Sequence, residues 1–253
     1  MNASEKTRPD GLLPAIDLNA DLGEGCANDR TLLGLVTSAS IGCGAHAGSP
    51  DIIRQTLHDA RACGVVVGAH PGYPDREHFG RREMEIRTEA VRNLILEQVA
   101  TLGALGAEIG VPVRFLKPHG ALYNQAQRRD EIARGVVAAA VELDVPLLGQ
   151  PGTLLERLAS AQGVRYITEG FPDRRYRDDG SLVPRGEPDA VLHQPADMEA
   201  QLVRLTAIGR VETLCIHGDD PRAVANAELI HRVLECHGIA IRSFVATRDY
   251  RGS

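Results

Sequence analysis

A parallel β/α barrel is the fold this 253-residue sequence predicts. Three observations lead there. Short apolar runs, often β-branched, recur along the chain and suit strands buried on both faces. Helical patterns lie between most of them, and strands alternating with helices build a parallel sheet. Nearly every run ends in glycine and a polar group, which places the polar chemistry at C-terminal strand ends, the face on which such a barrel carries its site. A doubly wound open sheet would also line these ends along one edge. Polar groups at nearly every strand, not at one switch point, favour the barrel.

In order, the runs cover residues 15–18 before NADLGEG, 40–43 before GAHAG, 65–67 before GAHPGYPD and 115–116 before KPHGALYN. Residues 145–148 before GQPG, 166–168 before EGFPDR and 213–216 before HGDDP complete seven strands, with a possible eighth at 239–244. The clearest helix lies in SPDIIRQTLHDARACG: Ser49 is the N-cap, Pro50 the first helical residue and Gly64 the C-terminal stop. Further helices are expected at 88–106, 130–143, 153–161, 195–208 and 221–237, the last capped by Asp220. No composition shift divides the chain, so residues 14–253 read as one domain behind a flexible tail at 1–13. Two long polar insertions, GYPDREHFGRREMEIR and PDRRYRDDGSLVPRGEPDAVLHQP, follow the third and sixth strands and are candidate lids or substrate loops.

Composition narrows the function classes. A net charge of −6 shows no footprint for nucleic acid or an anionic membrane. No apolar run approaches the ~20 residues of a membrane span. MNASEKTRPDG lacks the apolar core of a signal peptide. Five cysteines, an odd number with no C-x-x-C pair, predict free thiols in a reducing cytoplasm. Trp is absent and aromatics make up 4%, which argues against a stacking platform for single strands or sugars.

Side chains alternate across a strand, so Asp17, Asn19 and Asp21 share one face, as do Lys117 with His119 and Cys215 with His217. Pointed inward, they would join His46, His70 and Glu169 at one mouth. Such a set suits a divalent metal, with Asp17, Asp21, His46 and His70 as candidate ligands. It suits acid/base catalysis equally well. Lys117 could hold a carboxylate or phosphate, or pair with Asp17 or Asp21. Tyr123 could donate to an oxyanion. Arg81 with Arg82, and Arg174 with Arg175, are guanidinium pairs on the long insertions, suited to carboxylate or phosphate. Cys43 and Cys215 read as buried, inert thiols. The turn GAHAGSPD opens a helix but matches no phosphate-loop pattern.

The ordered set DLNADLGEG, CGAHAGSP, VGAHPGYPDREHFGRR, KPHGALYN, DRRYRDDGSLVPR and IHGDDP resembles the LamB/YcsF family over residues 16–244. That family is associated with the A component of the bacterial ATP-dependent 5-oxoprolinase. The resemblance implies a seven-stranded β/α barrel of the glycoside hydrolase/deacetylase type. It implies the reaction of 5-oxo-L-proline, ATP (as Mg-ATP, on this chain or a partner) and two waters to give L-glutamate, ADP and phosphate. It also implies partner subunits B and C. Carried over by motif, Asp17, Asn19, Asp21, Glu24, His46, His70, Lys117, His119 and Glu169 form the catalytic set. Asp21 or a neighbouring carboxylate is the general base, and Lys117 holds the carbonyl oxygen or phosphate. Arg81, Tyr123, Arg174 and His217 bind substrate, with Arg81 or Arg174 on its carboxylate.

The sequence departs from the family's usual pattern at three places. Gly25 stands where serine is usual, Ala45 where a bulky aromatic precedes the histidine, and AIGRVETLCIHGDDP lacks a common insertion. A wider pocket beside His46, admitting a larger lactam, is the expectation from Ala45. Two other readings compete: a metal-dependent deacetylase or amidohydrolase working without ATP, and a non-catalytic binding protein that delivers substrate to its partners.

Overall fold

The computed structural model describes residues 15–207 and 209–245. Its strands are β1 (Ala15–Leu22), β2 (Ser38–Gly42), β3 (Val66–His70), β4 (Leu147–Gly149), β5 (Tyr166–Gly170), β6 (Thr213–His217) and β7 (Ala240–Ile241). Its helices are α1 (Asp29–Leu33), α2 (Pro50–Cys63), α3 (Thr88–Ile109), α4 (Gly120–Ala126), α5 (Asp130–Leu143), α6 (Leu154–Ala161), α7 (Pro195–Ala207) and α8 (Ala223–Cys236).

All ladders are parallel, in the order β3-β2-β1-β6-β5-β4. Residues 114–117 close the ring between β3 and β4. The Arg114 and Lys117 N–H groups donate to Val67 and Ala69 carbonyls, and Leu116 bridges both Ala69 and Leu147. This expected fourth strand is only a pair of isolated bridges, because Pro112 and Pro118 flank it and neither has an N–H for the ladder. The expected eighth strand shrinks to β7, which pairs with Ala15 and Ile16 at the start of β1.

Each strand sorts its side chains by face. Leu18, Ala20, Leu22, Ile41, Val67, Ala69, Leu116, Leu147, Leu214 and Ile216 point out into the main apolar cluster beneath the helices. Inside, Val66, Phe115, Leu148 and Ile167 plug the floor, with Phe244 against the Phe115 ring. Gly68 makes room for that ring: a Cβ there would lie 2.2 Å from a Phe115 ring carbon. Above the plug the interior turns polar.

Helix chemistry follows the sequence closely at α2. The Ser49 side chain accepts from the Ile52 N–H, and Gly64 at φ 69° ends the helix. At α8 the start differs: the cap position is Arg222, and Asp220 instead accepts the Arg222 N–H in the preceding turn. The short α1 and α4 carry no sequence expectation, since five and seven residues are too few for a readable periodicity. The expected tail at 1–13 lies outside the described residues, as does position 208 at the expected end of α7.

Candidate functional site

The inward face of β1 sets the site in three layers. Lowest is Asp17, whose Oδ1 accepts from Ser38 Oγ at 2.6 Å and Thr37 Oγ1 at 2.8 Å, while Thr213 Oγ1 donates to Oδ2. Burial outweighs these hydroxyls and pushes Asp17 up to about 6. Asn19, one layer higher, donates to Thr213 Oγ1 at 2.7 Å and Glu169 Oε1 at 3.1 Å. Lys117 fills the same layer, with Nζ 2.7 Å from Glu169 Oε1, 2.9 Å from Asp21 Oδ1, 3.0 Å from Cys215 Sγ and 3.1 Å from Asn19 Oδ1.

Asp21 forms the upper layer with the imidazoles. His70 Nε2 lies 3.4 Å from Asp21 Oδ2. Burial alone would raise Asp21, but His70 and the Lys117 ammonium beside it hold it well below the usual carboxylate range. Glu24, carried on the turn after β1, meets three rings through Oε1: His46 Nε2 at 2.9 Å, His119 Nδ1 at 3.3 Å and His70 Nε2 at 4.0 Å. Its own burial, then the Asp21 charge, push Glu24 well up. His46 stacks on His119 at 3.8 Å, and His70 meets both rings edge-on. Burial lowers His119 well below its ordinary value and takes His46 down to about 3. Both rings are therefore neutral near pH 7.

The first insertion roofs these rings. Gly72 and Gly80 pass so close to His46 that a Cβ would fall 2.7 Å and 2.9 Å from its ring and stem. Between them Phe79 adopts a left-handed φ of 54°, rare for a bulky residue, and its carbonyl accepts from His119 Nε2 at 2.8 Å. The second insertion folds back on itself through bridges Arg174–Val191 and Tyr176–Leu182 and walls a cavity of about 720 Å³.

Of the sequence-derived set, Asp21, His119, His217, Arg81 and Arg174 line that cavity; Asp17, Asn19, Glu24, His46, His70, Lys117 and Glu169 do not. Several expected roles change accordingly. Asp17 is spent on hydroxyls beneath the imidazole layer, out of reach of a shared ligand with His46 or His70. Lys117 is 2% exposed and fully engaged, so it braces Asp21 and Glu169 instead of meeting substrate; its partners include Asp21 and exclude Asp17. Arg174 lines the cavity but is buried, and its Nε and Nη2 are committed to the Ala190 and Val183 carbonyls. The Tyr123 phenol is buried against Glu169, and burial first, then that charge, keep it well above its ordinary range. The pocket expected beside Ala45 is not where the large cavity opens, since Ala45 lines none of it. Cys43 hydrogen-bonds the Ile41 carbonyl and burial pushes its thiol up to about 12, in keeping with an inert thiol.

Three site residues escaped sequence reasoning. Arg185, in the second insertion, shares Asp219 with Arg81: Arg185 Nη1 lies 3.0 Å from Asp219, and Arg81 Nη2 pairs with the same carboxylate. Asp173 accepts from His217 Nδ1 at 2.8 Å, and the His217 ring stacks on Phe171. The only signal was their place inside DRRYRDDGSLVPR, EGFPDR and HGDDP.

Among the described residues, two groups bring ligand atoms within 4.8 Å of one another and could hold a metal: Glu24, His70 and His119, and Asp21, Cys215 and His217. Of the expected metal ligands, His70 falls in the first and Asp21 in the second; Asp17 and His46 fall in neither.

Comparison with known proteins agrees with this architecture. The A component of 5-oxoprolinase from Methylococcus capsulatus is 42% identical over 245 residues, covering 89% of this chain and 94% of that protein. Its counterpart from Pyrococcus abyssi is 37% identical, covering 94% and 99%. Among solved structures, the lactam utilization protein from Thermus thermophilus superposes with a TM-score of 0.83 at 38% identity, covering 91% of this chain and all of that one. The catalytic domain of a peptidoglycan N-acetylglucosamine deacetylase from Eubacterium rectale reaches 0.54 at 12% identity, over 92% and 90% of the two chains, and shares the fold alone. The model of the LamB/YcsF family matches residues 16–249, and the chain belongs to that family.

Proposed function

We propose that this chain is the ring-opening component of an ATP-dependent 5-oxoprolinase in the cytoplasm, converting 5-oxo-L-proline to L-glutamate with two partner subunits, B and C. The observation that carries the reading is an ionised carboxylate, Asp21, and an oriented imidazole, His217, on the wall of one cavity that also carries Arg81 and Arg185. This arrangement occurs in a family whose curated relatives are named as the A component of 5-oxoprolinase.

A five-membered lactam is an unstrained amide and resists water near neutral pH. Transfer of a phosphoryl group from ATP to the amide oxygen activates the carbon. Water then adds to that carbon, losing its proton to Asp21. The C–N bond breaks, the nitrogen takes a proton, and the chain end emerges as an acyl phosphate. A second water releases phosphate, so two waters and one ATP are consumed.

His217, whose Nδ1–H donates to Asp173, presents an Nε2 lone pair that takes up the proton Asp21 removes from water and passes it to the departing nitrogen. Arg81 and Arg185 receive the substrate carboxylate in place of Asp219. Lys117 keeps Asp21 ionised and oriented without touching substrate.

Glutamate release from 5-oxoproline, by the chain alone and with subunits B and C, with and without ATP, tests this reading. Release only in the full mixture with ATP supports it. Release by the chain alone without ATP replaces it with a self-sufficient amidohydrolase. No release from any mixture whose partners are active with a control relative of this chain overturns it.

A further inference from the structure

The His70 and His119 rings each turn one nitrogen outward to a carbonyl and the other toward each other. His70 Nδ1 faces the Lys117 carbonyl at 2.8 Å, and His119 Nε2 faces the Phe79 carbonyl at 2.8 Å. A carbonyl only accepts, so each of these nitrogens carries the hydrogen and donates outward. The other two nitrogens, His70 Nε2 and His119 Nδ1, point at each other across 3.0 Å. Around the same point stand Glu24 Oε1, 3.3 Å from His119 Nδ1, and Asp21 Oδ2, 3.4 Å from His70 Nε2. Four ligand-type atoms converge on one buried spot.

We propose that this spot is a binding site for a divalent transition-metal ion of the zinc class, with Glu24 Oε1, His70 Nε2 and His119 Nδ1 as ligands and Asp21 beside them. The separations fit: ligand atoms about 2.1 Å from one tetrahedral ion lie about 3.4 Å apart, and the three atoms here stand 3.0, 3.3 and 4.0 Å from one another. The ligand set is the two-histidine, one-glutamate type that leaves a position open. Both imidazoles are oriented from behind by a carbonyl on the far nitrogen, as metal-bound histidines usually are. Two buried carboxylates, Asp21 and Glu169, share the one ammonium of Lys117 beside the spot. His119 and Asp21 also line the cavity, so the site borders the space where a small molecule would sit.

The second cluster, Asp21 with Cys215 and His217, is the weaker candidate. Lys117 Nζ sits 3.0 Å from Cys215 Sγ and 2.9 Å from Asp21 Oδ1, already supplying the positive charge a metal would bring.

The test needs no turnover, so it stands or falls separately from the proposed reaction. The full-length chain, purified without a histidine tag, is analysed for bound metals by mass spectrometry. It is then stripped with chelator and titrated with Zn²⁺, Mn²⁺ or Co²⁺ while melting temperature and cobalt absorption are followed. One equivalent per chain is expected, with a rise in melting temperature and visible cobalt bands. The isosteric Glu24→Gln and the truncating His119→Ala should each weaken binding at least about tenfold. Glu24→Asp should recover part of it, and His217→Ala should leave occupancy unchanged. A chain that binds no ion under any of these conditions overturns the assignment, leaving a single shared proton between the two rings. Occupancy that survives Glu24→Gln but vanishes in His217→Ala overturns it in favour of the second cluster.

Discussion

Asp17 and Asp21 leave the same face of β1, about 13 Å apart along the strand. Both are buried, yet their surroundings drive them in opposite directions. Asp17 meets three hydroxyls and no counter-charge, and burial takes it up to about 6. Asp21 meets Lys117 and the His70 ring, and stays ionised well below the usual range. The barrel floor uses neutral hydroxyls to fix backbone and side chains; the mouth uses charges left incompletely balanced. Carboxylates of identical type on one strand thus divide into a structural and a chemical role according to what stands opposite.

The largest effect should come from the mouth. Asp21→Asn keeps the shape and removes the charge, and glutamate release in the complete ATP-containing mixture should fall by roughly 10²–10⁴. Unchanged release would remove Asp21 from the chemistry and dissolve the contrast with Asp17.

Lys117→Met tests the tie between the layers. It strands Asp21 and Glu169 without their buried ammonium, and chemical denaturation should show a loss of about 3–5 kcal/mol. A loss below about 1 kcal/mol would mean that the polar layer is not held by these ion pairs.

The floor should register in the pH dependence of stability. A carboxyl raised from 3.8 to about 6 on folding binds its proton more tightly in the native state. Its contribution therefore falls as pH rises from about 4 to 6 and is flat above. The total is about 3 kcal/mol, taken as the difference between the chain and its Asp17→Asn variant. A difference curve that is flat or rises over this range would show that Asp17 is ionised at no cost.

The smallest effect belongs beneath the polar layers. Gly68→Ala drives a methyl into the Phe115 ring and should cost about 1–3 kcal/mol of stability. The pH profile of turnover should be unmoved. A shifted profile would show that the apolar plug reaches the mouth after all.

Much of this was legible in the chain. Period-two spacing placed Asp17, Asn19 and Asp21 on one face, and glycine-closed apolar runs put His70, His119 and His217 at strand ends. The helix at 50–63 was readable because Ser49, Pro50 and Gly64 act within a few residues of their own positions. What escaped was non-local. Arg174 and Arg185 lie in the same insertion, both flanked by charge and turn residues. Nothing local says that one will spend its guanidinium on the carbonyls of Val183 and Ala190 while the other reaches Asp219. Likewise Arg81 and Arg82 are neighbours, yet Arg81 goes to Asp219 and Arg82 to Asp75.

The sequence by itself determined the alternation of strands and helices, the inward face of β1 and the collection of imidazoles at one end, because periodicity and capping act through short-range geometry. Only the tertiary structure decided the height of each group in the barrel, which carboxylate meets hydroxyls and which meets cations, and which way each imidazole must donate. Those outcomes depend on contacts between residues far apart in the chain, such as Asn19 with Glu169, Lys117 with Asn19 and Thr213 with Asp17, made by closure of the ring. They depend equally on burial, which turns each such contact into a shift of charge.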